Sequence, residues 1–93
     1  MQSLSLRLST IASLVPNGAR VCDIGTDHGY LSIELIKSGI AASVIATDVN
    51  EKPLSRAQSN AEKAGLSLEL RLCDGLAGLL PHEVDTVIIA GMG

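Results

Sequence analysis

The residues best suited to chemistry stand in one run, Val21-Cys22-Asp23-Ile24-Gly25-Thr26-Asp27-His28-Gly29-Tyr30, with Asp48 and Asp74-Gly75 further along the chain. The run starts apolar, turns on two glycines and leads into an amphipathic stretch, which reads as a strand ending in a tight turn that opens a helix. Gly25 and Gly29 remove side chains where backbone bends and a ligand approaches closely, and the helix start offers free N–H groups. A dinucleotide is the first guest to consider. Its glycine fingerprint asks for glycine at positions 25, 27 and 30, where this chain has Gly25, Asp27 and Tyr30. The Asp27 carboxylate would also repel a pyrophosphate resting on the helix N-terminus, and no Gly-Lys-Ser/Thr sequence makes a P-loop.

Asp23, Asp27 and Asp48 together suit a cofactor without phosphates that carries amines, hydroxyls or a positive charge, and S-adenosylmethionine has all three. Asp48 lies 23 residues past Gly25, at the end of a second apolar run, where a carboxylate can accept both ribose hydroxyl protons. Its other reading is an N-cap or turn residue. Asp74-Gly75 can reach the adenine edge or form an ordinary turn, and Asp23 either contacts the cofactor or orders the turn by accepting from backbone N–H groups. Gly25, Thr26, Asp27, His28 and Gly29 form the turn against which such a cofactor would rest. His28 and Tyr30 flank Gly29 at the mouth of the crevice, and Tyr30, the only aromatic residue, can stack on a base or pack the helix start. Asp27, His28 and Tyr30 are the candidates for placing a substrate or taking its proton. His82 and Asp85 read as loop and turn residues, and Arg7 as a solvated residue opposite the apolar stripe of the first helix, with some reach toward substrate.

The elements that must position these residues alternate. Ninety-three residues, 46% hydrophobic with no Trp or Phe, call for one small domain with an aliphatic core. Leu4, Leu8, Ile11 and Val15 recur at helical spacing before Pro16-Asn17-Gly18. Strands are expected at Arg20 to Ile24, Ala42 to Thr47, Leu66 to Cys73 and Thr86 to Ala90, with helices over Tyr30 to Ser38 and from Pro53 to Gly65. Leu66, Leu68, Leu70 and Leu72 alternate with Ser67, Glu69, Arg71 and Cys73, a half-buried pattern that belongs near a sheet edge. Parallel strands joined by right-handed crossovers give a Rossmann-like α/β half sheet, three-layered α/β/α, in the order 3-2-1-4. The fourth strand is then an unprotected apolar edge, so residues 1–93 read as the N-terminal part of a single domain whose further strands pair there. Cys22 and Cys73 lie in apolar runs without metal-ligand spacing and read as two buried thiols. A net charge of -3 excludes a self-sufficient nucleic-acid binder, and neither a secretion signal nor a run of ~20 apolar residues is present, which reads as a cytoplasmic protein with no membrane contact.

Four segments in order, Asp23 to Leu31, Ala46-Thr47-Asp48-Val49-Asn50, Asp74-Gly75-Leu76 and Ala90-Gly91-Met92-Gly93, together with Leu6-Arg7-Leu8 and Val15-Pro16, resemble the bacterial tRNA (adenine-N1)-methyltransferase family that modifies adenine 22 of tRNA. The resemblance implies a class I S-adenosylmethionine-dependent fold, with Asp27 in place of the usual middle glycine, Asp48 as the ribose-binding acid, Asp74 at the adenine-contacting position, and Thr26, Val49, Gly75, Gly91 and Met92 completing the cofactor-binding set. It implies tRNA as partner, held mostly by surface outside this segment, and a further C-terminal helical region. Gly91-Met92-Gly93 departs from the Asn or Asp before Pro-Pro-Tyr of many amino-methylating enzymes, which suits a ring nitrogen as target. Two other readings stay open: a non-catalytic nucleoside-binding or assembly module on the same half sheet, and an NAD-dependent oxidoreductase, weakened by Asp27 and Tyr30 in the fingerprint register.

Overall fold

The computed structural model describes residues 6–89. Among these residues the elements are α1 (Leu6–Ser13), β1 (Ala19–Ile24), α2 (Tyr30–Lys37), β2 (Ala41–Asp48), α3 (Glu51–Lys63), β3 (Glu69–Leu72) and β4 (Thr86–Ile88); helices and strands alternate up to β3, and β4 follows it with no helix between. All strands run parallel in one sheet of order β3-β2-β1-β4. This is the expected Rossmann-like arrangement, with winding reversing between β1 and β4.

The core follows from side-chain alternation along the inner strands. Val21 and Val44 share one sheet face with Ala19 and Ile88, and α1 and α2 cover that face with Ala12, Leu31 and Leu35. The opposite face carries Cys22, Ile45, Thr47 and Arg71, and the turn-rich segment from 73 to 85 is tied across it through Arg71. The helix ends obey local chemistry. Gly39 and Gly65, just past α2 and α3, take φ values of 76 and 75 degrees, the left-handed conformation that glycine adopts without strain. Helix α3 begins at Glu51, two residues before the expected Pro53. A proline there is tolerated because the first four N–H groups of a helix have no intrahelical acceptor. No helix among the described residues is long and apolar enough to cross a membrane.

Strand β3 departs most from expectation. It covers only Glu69–Leu72, and its alternation fails: Leu72 is 55% exposed while Arg71 is half-buried. The cause is the 73–85 segment, which gives Arg71 a carboxylate and a carbonyl to bond, Glu83 and Gly78, and so draws its side chain inward. Cys73 is likewise half-buried rather than buried, whereas Cys22 is fully enclosed, and both are free thiols. Leu4, Ala90, Gly91, Met92 and Gly93 lie outside the described residues.

Candidate functional site: a crevice at the carboxyl ends of the strands

The turn from Gly25 to Gly29 is built by backbone that only small or polar residues accept. Gly25, Asp27 and Gly29 have φ of 71, 57 and 77 degrees, and aspartate is among the few non-glycine residues that visit this region readily. The amides of Gly25 and Thr26 both donate to the Thr47 carbonyl, at 2.9 and 3.2 Å, which fastens the turn to the end of β2. Asn60 of α3 donates from Nδ2 to the His28 carbonyl at 2.8 Å. Gly29 lies so close to α3 that a Cβ there would stand 2.7 Å from the Ala57 Cβ. Glycine at 29 and alanine at 57 are therefore one packing solution.

Asp23 sits beneath this turn, 2% exposed, and orders it through hydroxyls rather than the expected backbone N–H groups. Thr26 Oγ1 and Ser32 Oγ donate to Asp23 Oδ2 at 3.2 and 2.6 Å. Burial pushes the Asp23 carboxyl above the usual carboxylate range, and the two hydroxyls offset part of that rise. The neighbouring Cys22 thiol is raised by burial too, partly offset by the Thr47 hydroxyl beside it.

Two cavities open on either side of the turn. The larger, about 670 Å³, is lined by Gly25, Asp27, Asp48, Asn50, Asp74 and Gly75, with Val49 also on its wall. Asp48 ends β2, and its Oδ1 accepts from the Asn50 amide at 3.0 Å, the turn role anticipated as its alternative. Its Oδ2 has no partner among the described residues, so one oxygen shapes the loop and the other remains free for a ligand. The Asp74 carboxylate has no partner among the described residues either. The smaller cavity, about 120 Å³, is lined by Arg7, Asp23, Thr26, Asp27, His28 and Tyr30. There the His28 and Tyr30 rings stack, with centroids 5.3 Å apart and planes 16 degrees apart. Gly25 and Asp27 border both cavities.

The structure thus brings together Asp23, Gly25, Thr26, Asp27, His28 and Tyr30 on one side and Asp48, Val49, Asp74 and Gly75 on the other. Gly29 supports the turn rather than lining either cavity. Cys22 is enclosed in the sheet while Cys73 lines the larger cavity, and Asp85 and His82 stand apart from both cavities. Sequence reasoning missed Asn60, and read Arg7, which lines the smaller cavity, chiefly as solvated with only some reach toward substrate. A mid-helix Asn on the apolar stripe of Leu54, Ala57 and Ala61 was a readable signal, because such a residue costs helix propensity unless its amide is used elsewhere. Arg7 takes its place on the cavity wall only when α1 folds over the turn.

A Gly-bearing turn between a buried parallel strand and a helix, facing a strand-end acid across a crevice, defines a nucleoside-binding α/β domain. Residues 4–93 match the methyltransferase domain family, and the chain belongs to it. Within that family it is similar to the tRNA (adenine(22)-N(1))-methyltransferase of Bacillus subtilis (strain 168), 40% identical over 92 residues that make up 97% of this chain and 39% of the relative. The crystal structure of the B. subtilis M1A22 tRNA methyltransferase TrmK superposes with a TM-score of 0.91 at 39% identity, covering 100% of this chain and 41% of that one. M. capricolum TrmK in complex with S-adenosyl-homocysteine superposes with a TM-score of 0.86 at 39% identity, over 95% of this chain and 41% of that one. The chain therefore spans about two fifths of the length of these relatives.

Proposed function

We propose that residues 1–93 form the N-terminal part of a single S-adenosylmethionine-binding domain, and that the whole protein methylates N1 of adenine 22 in tRNA in the cytoplasm. The observation that carries this reading is that Asp48, whose Oδ2 has no partner among the described residues, shares the wall of the larger cavity with Gly25 of the glycine turn. The residues fit the cofactor: the acids Asp48 and Asp74 offer acceptors to hydroxyls and an amine, and among the described residues no lysine or arginine lines the larger cavity to call for a phosphate. The likeness to TrmK supports the substrate, and the β4 edge, with Val87 42% and Ile89 61% exposed, supports a sheet continued by further strands.

When bound, S-adenosylmethionine supplies an electrophilic methyl group on a sulfonium. The adenine N1 already carries a lone pair, so the protein's task is placement. Asp48 holds the ribose, Asp74 meets the adenine edge, and the stacked His28 and Tyr30 rings offer a flat surface to an unstacked target base. Asp27 stands beside them, 3.8 Å from His28 Nε2, as acceptor for a proton released after transfer. The tRNA backbone is held mostly by surface beyond this acidic segment.

The test is calorimetric titration of S-adenosylmethionine into the full-length protein, wild type and Asp48→Ala. Binding that falls ~30- to 700-fold in the variant, as loss of a charge-assisted hydrogen bond to ribose requires, supports the reading. A folded full-length protein that binds no S-adenosylmethionine overturns it and leaves the non-catalytic module on the same half sheet.

A further inference from the structure

Asp74 and Gly75 reach the wall of the larger cavity from a loop rather than from a strand. The segment from 73 to 85 is a succession of short turns, closed by the amides of Ala77, Leu79 and Glu83 on the carbonyls of Asp74, Leu76 and Leu80. Such turns fix local shape but not where the loop stands over the sheet. Two ties do that. At the near end the Cys73 amide donates to the Asp48 carbonyl at 3.0 Å. At the far end Arg71 of β3 donates from Nη1 to the Gly78 carbonyl at 3.0 Å, while Nη1 and Nη2 hold the two oxygens of Glu83 at 2.7 and 2.6 Å. The joint at Gly78 is tight, since a Cβ there would stand 2.7 Å from Cys73 Sγ and 2.9 Å from Cys73 Cβ.

Asp74 and Gly75 are therefore the tip of a short loop pinned at Cys73 and at Gly78, and Arg71, which stands apart from both cavities, holds the second pin. We infer that Arg71 is a positioning residue for recognition of the cofactor's base: by holding Gly78 against Cys73 it sets where the Asp74 carboxylate stands on the cavity wall, and with it the preference for a purine that carries an amino group. This inference rests on the cofactor reading proposed above. A shift of about 1 Å in the loop is enough to take a hydrogen bond from its usual length out of range. The planar, forked guanidinium suits the task because it bonds a carbonyl and both oxygens of a carboxylate from one rigid group.

Two ligands titrated into the full-length protein read the base contact: S-adenosylhomocysteine and its analogue whose purine lacks the amino group. Urea midpoints of the same variants read stability. The wild type is expected to prefer S-adenosylhomocysteine ~10- to 100-fold, as a hydrogen bond to a charged acceptor allows, and Asp74→Ala to lose that preference. Arg71→Met should bring the preference to about 3-fold or less by weakening S-adenosylhomocysteine, with the analogue changed less than about 3-fold. Gly78→Ala, which presses the loop off Cys73 and leaves Arg71 in place, should do the same. Glu83→Gln keeps an acceptor for Arg71 and the tie to Gly78, so it should lower the urea midpoint and keep the preference. A preference retained by Arg71→Met, or by Gly78→Ala should Arg71→Met not fold, overturns the inference. Loss of the preference in Glu83→Gln to the same degree would show that it follows the stability of the whole segment, and overturns it as well. A wild type without preference, or an Asp74→Ala that keeps it, removes Asp74 from the base edge and overturns the inference while leaving the cofactor reading intact. A wild-type protein that binds neither ligand overturns the cofactor reading itself, and this inference with it.

Discussion

The acidic residues of this chain fall into two populations, at two places. On the sheet face crossed by the 73–85 segment, and at the opposite end of β1 from the crevice, acids are matched to arginines. Arg71 donates from Nη1 and Nη2 to the two oxygens of Glu83 at 2.7 and 2.6 Å, and Asp85 accepts from the Arg20 amide at 3.0 Å with the Arg20 Nε 3.5 Å away. At the carboxyl ends of the strands, Asp27, Asp48 and Asp74 have no lysine or arginine partner among the described residues. Both regions are loops joined to the same four strands, so topology alone does not explain the contrast. Acids that hold the fold have their charge answered from within; acids answered only by turn amides, or not at all, retain acceptor capacity that a ligand can use.

The largest expected effect comes from disturbing the joint between the turn and α3. Gly29→Ala places a Cβ 2.7 Å from the Ala57 Cβ and 3.0 Å from its Cα, at a φ of 77 degrees that alanine adopts only with strain. Strain and overpacking together should cost about 2–4 kcal/mol, read as a lower urea midpoint. Gly65→Ala is the control: φ is 75 degrees there with nothing within 4 Å, so only the strain of about 1 kcal/mol applies. Equal losses at both positions would show that the close approach at Gly29 does not matter.

A smaller effect is expected at Asn60, the other tie between α3 and the turn. Asn60→Ala leaves the His28 carbonyl without its donor at 2.8 Å, for about 1 kcal/mol of stability. Because the lost bond holds the turn rather than the core, affinity for S-adenosylmethionine should fall while the unfolding transition moves little. A variant that loses stability and keeps full affinity would remove Asn60 from the positioning of the site and place it with the residues that merely hold the fold.

The parts of this molecule that were legible in its sequence are those decided by near neighbours. Strand β1, the Gly25 to Gly29 turn, α2 and the end of β2 are each announced by apolar runs and glycine within a few residues, and the strand order follows from general handedness rules. The reading failed where a distant segment decides burial. Arg71 looked solvated because alternation along β3 put it opposite the leucines, and only the folding back of Glu83, twelve residues on, makes that side chain half-buried. Arg7 was read chiefly as solvated for the same reason, since its wall of the cavity exists only once α1 lies over the turn. Asp23 was read as a contact to the cofactor or as ordering the turn through backbone N–H groups, and it orders the turn through other partners, because the hydroxyl of Ser32, in the first turn of α2, comes within reach only in three dimensions.

The smallest effect separates the two populations of acids by pH. Glu83 is pulled down to about 2 from its ordinary 4.5, chiefly by the Arg71 hydrogen bonds and then by the Leu80 amide. A carboxyl whose folded value is depressed gives stability that is complete above the unfolded value and is lost as pH falls from about 4.5 toward 2. Asp85, lowered first by the Thr86 hydroxyl and then by the Arg20 amide, acts in the same direction. Asp23 acts oppositely: burial raises it, so its charge opposes folding at neutral pH, and that opposition is relieved as pH falls through its folded value toward 3.8. On acidification the site acid therefore favours the fold while the paired acids withdraw their support. Urea midpoints at about pH 7 and about pH 3 read both. Glu83→Gln should lower the neutral-pH midpoint and shrink the drop between the two, leaving the part due to Asp85, whereas Asp23→Asn should deepen that drop by removing the relief. If Glu83→Gln leaves the drop unchanged, the Arg71 pair does not hold the 73–85 segment, and the division between acids that build the fold and acids that await a ligand loses its firmest member.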